Sequence, residues 1–191
     1  TATLDRMRWG GLFDQVGYGF HRYSTDQQWK LPHFEKMLYD QAMHVLAYTE
    51  AYQATGTDRY ERTAREVLTY VRRDLQAPDG GFFSAEDADS LNAEGDMEEG
   101  AFYVWSIEDI REHLEPALAD LVIDVYNMSP AGNYQEERTG ERTGKNVLHR
   151  DQSLAAAAEQ RGMEADVLRD HLDTARRVLL DARSERPRPG L

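Results

Sequence analysis

His21 and His33 are the side chains best suited to moving protons, because imidazole titrates near neutrality and can both take a proton and return it. Residues 85–100 add a run of carboxylates, among them Glu86, Asp87, Asp89, Glu98 and Glu99. Such a run can supply the acid and the nucleophile or base of a glycosidase. Sugar epimerisation needs a paired proton donor and acceptor, so the histidines point toward epimerase- or isomerase-like transfer and the acidic run toward hydrolysis. Trp29, Tyr39, Phe82, Tyr103 and Trp105 offer flat faces for stacking on sugar rings. The catalytic candidates are therefore His21, His33, Glu86, Asp87 and Asp89. The substrate-binding candidates are Arg22, Trp29, Glu35, Tyr39, Phe82, Glu98, Glu99 and Trp105.

No metal or cofactor is expected. Asp87 and Asp89 have the first spacing of an EF-hand loop, but Leu91 stands where an oxygen ligand is needed and no glycine adjoins it. Gly144-Lys145-Asn146 lacks the hydroxyl residue after lysine, and the buried strand before it, that a phosphate-binding loop requires. With no cysteine there is no disulfide framework, thiolate metal site or thiol nucleophile in these residues. The 22 basic and 35 acidic residues leave a net charge of -13, which repels phosphate backbones and anionic lipid. Nucleic acid and membrane are thus excluded as expected partners, no apolar run approaches the roughly 18 residues of a membrane span, and a cytoplasmic location is the default.

The elements that must position these groups are helical. Residues 1–9 read as a helix stopped by Gly10-Gly11. Residues 12–31 form a long, aromatic-rich loop that needs something to pack on. Residues 29–52 read as a helix with Pro32 in its first turn and apolar residues nearly all round, so it should be enclosed by protein. After Gly56, residues 58–76 form a second helix with Tyr60, Ala64, Val67, Leu68, Val71 and Leu75 on one side only. An enclosed helix followed by a one-sided one is the pattern of inner and outer helices in an α/α toroid. Residues 100–105 read as a strand pairing with Phe82-Phe83 in a small hairpin. Ser106 and Asp109 form a capping box for a helix starting at Ile107, broken at Pro116 and resuming through Tyr126. Residues 129–150 are loop, and helices follow at about 154–160 and 165–183, the latter burying Val167, Leu168, His171, Ala175, Val178 and Leu179. The loops at 10–32 and 79–105 should then share one rim, where a pocket would form.

Five strings carry a resemblance: Gly19-Phe20-His21-Arg22-Tyr23, Trp29-Lys30-Leu31-Pro32-His33-Phe34-Glu35-Lys36-Met37-Leu38-Tyr39-Asp40, Gly80-Gly81-Phe82-Phe83-Ser84-Ala85-Glu86-Asp87-Ala88-Asp89-Ser90, Glu98-Glu99-Gly100-Ala101-Phe102-Tyr103-Val104-Trp105 and Gly144-Lys145-Asn146-Val147-Leu148-His149. Over residues 4–189 the chain resembles the YyaL-type, spermatogenesis-associated thioredoxin-domain proteins. The resemblance implies a thioredoxin-like domain upstream and a six-hairpin (α/α) toroid similar to acylglucosamine epimerases and several glycosidases. Opening on Thr1 rather than Met, the chain reads as one partial domain over residues 1–191, mainly α, holding the first hairpins of that toroid with a small inserted β-hairpin. The expected roles are a sugar-directed acid/base site, a glycosidase-like site in the acidic loop, or a non-catalytic module presenting a client or ligand to the thioredoxin-like domain. A partial ring leaves an apolar flank open, which favours self-association.

Overall fold

The structure is a computed structural model that describes residues 1–135, 140 and 142–191. It is mainly α-helical. The helices are α1 (Ala2–Trp9), α2 (Leu38–Thr55), α3 (Asp58–Tyr70, extended by the π-helical turn Val71–Leu75), α4 (Ile107–His113), α5 (Pro116–Val125), α6 (Leu154–Glu159) and α7 (Ala165–Ser184). Short antiparallel pairs tie the loops: β1 (Tyr23–Ser24) with β2 (Pro32–His33), β3 (Lys36–Met37) with β4 (Ala85–Glu86), and β5 (Asp89–Leu91) with β6 (Met97–Glu99).

Helix α2 ends at Gly56, whose φ of 63° turns the chain and whose N–H caps Tyr52 O. It packs against α3 as a hairpin. The α3 side of the contact is one stripe, Tyr60, Thr63, Ala64, Val67 and Tyr70, continued by Leu75. Ser106 and Asp109 exchange both hydrogen bonds of the capping box, so α4 starts at Ile107, and Pro116 opens α5 at a position where its missing N–H is harmless. One core joins α4 to α7 around Trp105, Ile110, Val122, Leu168, Leu172 and Leu179. A second fills the space between α2, α3 and the first loop with Phe13, Phe20, Tyr48, Tyr60 and Val67. A third sits beneath the β pairs around Phe34, Tyr103, Tyr134 and Val147.

Several sequence expectations change. The helix expected from residue 29 starts at Leu38, and residues 32–37 are extended. Their burial alternates: Pro32, Phe34 and Lys36 are buried while His33, Glu35 and Met37 are partly exposed. That is a strand's period of two, obscured in sequence because one inward residue is a lysine. Upstream, the Asp26 carboxylate accepts the N–H groups of Gln28, Lys30 and Leu31 and so holds a loop where the helix was expected to begin. Helix α2 is also not enclosed: it fully buries Gln41 and Tyr48, whereas Tyr39, Met43 and Leu46 face solvent. The segment after Gly100 is a set of turns rather than a strand, the hairpin is formed by β5 and β6, and Phe82 bridges Gln76 instead. On α3 Leu68 is exposed. On α7 Val167, His171 and Val178 are exposed, and the buried stripe is Leu168, Leu172, Ala175, Leu179 and Arg183.

The loops at 10–37 and 79–105 are knitted together. Lys36–Met37 pairs with Ala85–Glu86, and Glu99 accepts from both His33 and the Phe34 N–H. This seam is where the candidate residues gather.

Candidate functional site

The extended backbone at 32–37 sends alternate side chains to opposite sides of the seam, and the two sides have different chemistry. Inward lies Lys36, whose ammonium donates to Asp14 Oδ2 at 2.8 Å and to Tyr18 O at 2.9 Å and sits over the rings of Tyr70 and Tyr103. Asp14 also accepts both Arg183 guanidinium nitrogens, at 3.0 and 2.9 Å. Burial alone would raise the Asp14 carboxyl, but Arg183 and Lys36 hold it well below the usual carboxylate range. Gly17 makes this arrangement possible, because a Cβ there would stand 1.8 Å from Arg183 Nη2.

Glu86 belongs to the same inner layer. Its Oε2 accepts from Tyr70 and Tyr103 at 2.8 and 3.1 Å, and its Oε1 accepts from Arg188 at 3.0 and 2.9 Å. Burial, then the Glu86 charge, pushes both tyrosine hydroxyls upward, so they remain donors. Arg188 continues to Asp74, which Arg73 also holds, so three carboxylates (Asp14, Asp74, Glu86) meet four cations (Lys36, Arg73, Arg183, Arg188).

His21 is enclosed in this layer as well. It is 2% exposed, its Nδ1 donates to Phe34 O at 2.9 Å, and its ring meets Phe34 and Tyr103 edge to face. Burial and the nearby Lys36 pull its pKa down to about 3, so the ring is neutral at physiological pH. The void beside it measures about 10 Å³, room for no more than one water molecule.

Outward lie His33 and Glu35. His33 Nδ1 is 2.7 Å from Glu99 Oε1. A carboxylate only accepts, so Nδ1 carries the proton and Nε2 is the basic nitrogen. Among the described residues Nε2 makes no hydrogen bond, and its near neighbour is Glu35 Oε2 at 3.8 Å. The same Glu99 oxygen accepts the Phe34 N–H at 3.0 Å, which fixes the carboxylate, while Tyr23 stacks on the imidazole at 4.8 Å between centroids. Glu35 is held by Arg22 at 2.8 Å.

Hairpin pairing places Asp89 directly opposite Glu99. Partial burial, then Asp87 and Glu99, raise the Asp89 carboxyl, with His33 opposing them. A histidine, two facing carboxylates and a third carboxylate clamped by arginine thus share one half-exposed rim.

Of the other sequence candidates, Asp87 and Tyr39 border this group and the rest sit apart from it. Asp87 is exposed, with Oδ1 accepting the Ala88 and Asp89 N–H groups in a turn. Glu98 accepts from Asn92 at 2.9 Å. Trp29 occupies a loop position with φ 61°, where its carbonyl accepts the Gly11 N–H, and Phe82 is half exposed beside Gln76. Trp105 is fully buried with the Arg186 guanidinium 3.9 Å over its ring, so its faces are taken. Tyr39 remains exposed at the start of α2, close enough to Arg22 to perturb it.

The sequence reading missed Asp14, Lys36 and Arg183 as a linked set. A signal was present for Arg183, which falls on the buried stripe of α7, four residues after Leu179. No sequence signal links it to Asp14. Among the described residues no cluster of His, Cys, Asp and Glu has the geometry to hold a metal ion. Likewise no described helix is long and apolar enough to cross a membrane.

Spermatogenesis-associated protein 20 of Homo sapiens is 43% identical over 201 aligned residues, covering 99% of this chain. The chain is homologous to spermatogenesis-associated protein 20. The Mus musculus protein of that name is also 43% identical, and an uncharacterized protein of Caenorhabditis elegans is 35% identical, each over 99% of the chain. The chain spans about a quarter of the length of these relatives, 26%, 25% and 27% respectively. No family model matches the chain.

Proposed function

We propose that the rim built on His33 and Glu99 is an acid/base site acting on a sugar or sugar derivative, by epimerase- or isomerase-like proton transfer. The observation that carries this reading is the 2.7 Å His33 Nδ1 to Glu99 contact, which leaves Nε2 as a positioned base on the half-exposed side. Asp89, with its raised carboxyl, is the partner that returns a proton to the opposite side of the reacting carbon. Glu35 beside His33, with Arg22 and Tyr39 linked to it, adds hydroxyl-binding groups. His21 is a positioning residue in this scheme, since it fixes the Phe34 carbonyl between Glu35 and His33 and has no access to a ligand. The helical hairpins are read as the opening hairpins of an α/α toroid, with the seam on its inner rim, as the resemblance implies.

Hydrolysis is the second reading, and the facing Asp89–Glu99 pair favours it. Glu86 is enclosed by two tyrosines and an arginine and takes no part in it.

The test is isotope wash-in. Sugars incubated with the full-length protein in D2O acquire deuterium at the epimerised carbon, read by NMR. His33→Gln is expected to abolish wash-in with the fold intact, and Glu99→Gln to reduce it about a hundredfold, as loss of a general-base arrangement does. Release of a reducing end without wash-in, dependent on Asp89 and Glu99, would select hydrolysis. No turnover of any sugar together with a silent His33→Gln would remove both.

A further inference from the structure

On another part of the molecule, α1, α3, α6 and α7 enclose a cleft of about 740 Å³, within the size range of small-molecule sites. It shares no lining residue with the His33–Glu99 rim. Seven arginines and four carboxylates line it, a cationic surface in a chain whose net charge is -13. Most of the arginines have partners. Arg8 donates to Gln15 and Glu66 at 2.8 and 2.9 Å, and Arg176 donates to Asp173 at 2.9 Å while covering the Tyr18 ring.

Arg150 differs from them. Its Nε and Nη1 are buried and meet no acceptor, and among the described residues no carboxylate lies within ion-pair distance of it. Its backbone is fixed, with the N–H donating to Trp9 O at 2.7 Å and the preceding carbonyl held by Asn127. Burial, then Arg8, pulls its pKa down to about 10 against the opposing pull of Tyr126 and Glu66, still a cation at neutral pH. A guanidinium with buried N–H groups and no direct acceptor is expensive in a low-dielectric setting and is relieved by an anion that brings several acceptor oxygens. Arg150, Arg8 and Arg176, and against them the Glu66 carboxylate, all act electrostatically on the buried Tyr126 hydroxyl, so three cations and one anion face the same point.

We infer that this cleft binds a phosphate monoester or free phosphate, with Arg150 as the buried anchor, Arg8 and Arg176 flanking it, and the Tyr126 hydroxyl as an added donor. Guanidinium groups match phosphate oxygens in pairs.

The test uses the 191-residue chain, with inorganic phosphate and glucose 6-phosphate as probes and sodium chloride at matched ionic strength as control. The thermal midpoint is expected to rise with the logarithm of phosphate concentration and not with chloride. Calorimetric titration is expected to show tighter binding of the sugar phosphate if the ring is recognised, and equal binding if phosphate alone is. Arg150→Met is expected to raise the midpoint in phosphate-free buffer, because it removes an unpaired buried charge, and to abolish the phosphate response. Arg176→Gln, at the partly exposed wall, is expected to weaken binding about tenfold without affecting the fold. If Arg150→Met does not fold, Arg176→Gln with the chloride control still decides. Overturning results are a midpoint indifferent to phosphate, a chloride response equal to that of phosphate, or phosphate affinity unchanged in Arg176→Gln and in any folded Arg150→Met.

Discussion

His21 and His33 stand on either side of the same seam, each with Nδ1 donating to an oxygen, yet they are prepared for opposite fates. His21 gives its proton to a backbone carbonyl inside an aromatic cage, and burial keeps it neutral. His33 gives its proton to a carboxylate at a half-exposed surface and presents the other nitrogen outward. The carboxylates divide in the same way. Glu86 is saturated by two tyrosines and an arginine, whereas Asp89 and Glu99 face each other beside the imidazole. Residue type does not separate structural from chemical groups here. What separates them is which side of a six-residue extended segment each one meets, because alternate side chains of such a segment point in opposite directions.

The largest expected break in this contrast comes from Asp14. Asp14→Asn leaves Lys36 and Arg183 as adjacent buried cations, and the expected loss is about 3–5 kcal/mol of stability in urea unfolding at neutral pH. A loss below about 1 kcal/mol would mean that the inner layer is less committed to the fold than its geometry implies.

Acid titration probes the same layer with no mutation. The His21 pKa is about 3 in the folded chain against 6.5 for the free side chain, so between those values the unfolded state binds a proton that the folded state refuses. Stability from this group is therefore full above about pH 6.5 and falls as pH drops, by roughly 3 kcal/mol near pH 4.5. His44, lowered to about 4 by burial, acts in the same direction. The depressed Asp14 carboxyl contributes stability that is present above its unfolded value of 3.8 and lost as pH falls further. Urea midpoints measured from pH 7 to pH 4 are expected to show this slope, and His21→Gln to flatten it.

On the rim the effects on stability are smaller. Glu99→Gln weakens two hydrogen bonds at a partly exposed position, for an expected loss of about 1–2 kcal/mol, while affecting the proposed proton transfer far more. A variant that loses stability and activity in equal proportion would blur the distinction between the two sides. The smallest effect belongs to the surface: Glu61→Gln removes an exposed pair with Arg65 one turn along α3, worth about 0.5 kcal/mol or less, and sets the scale against which the others are read.

Much of the local grammar was present in the sequence. Gly56 ends α2, Ser106 with Asp109 starts α4, Pro116 opens α5, and the one-sided pattern of α3 marks the face that packs. These features are decided by interactions within a few residues of chain, namely a φ angle, a cap, a missing N–H or a helical stripe. His33, Glu35, Asp89 and Glu99 were also legible as chemistry-bearing types. Their company was not. The apolar text around residues 29–37 suits a helix until Lys36 is seen to be buried, and Lys36 is buried because Asp14, from the first loop, is there to receive it, with Arg183 from the last helix completing the site 169 positions along the chain from Asp14. Whether a charged side chain lies in a core or on a rim depends on whether distant residues compensate its desolvation. That balance was settled by the tertiary structure alone, and it made His21 a packing residue, left His33 open and placed Arg150 in a cleft with no ion-pair partner among the described residues.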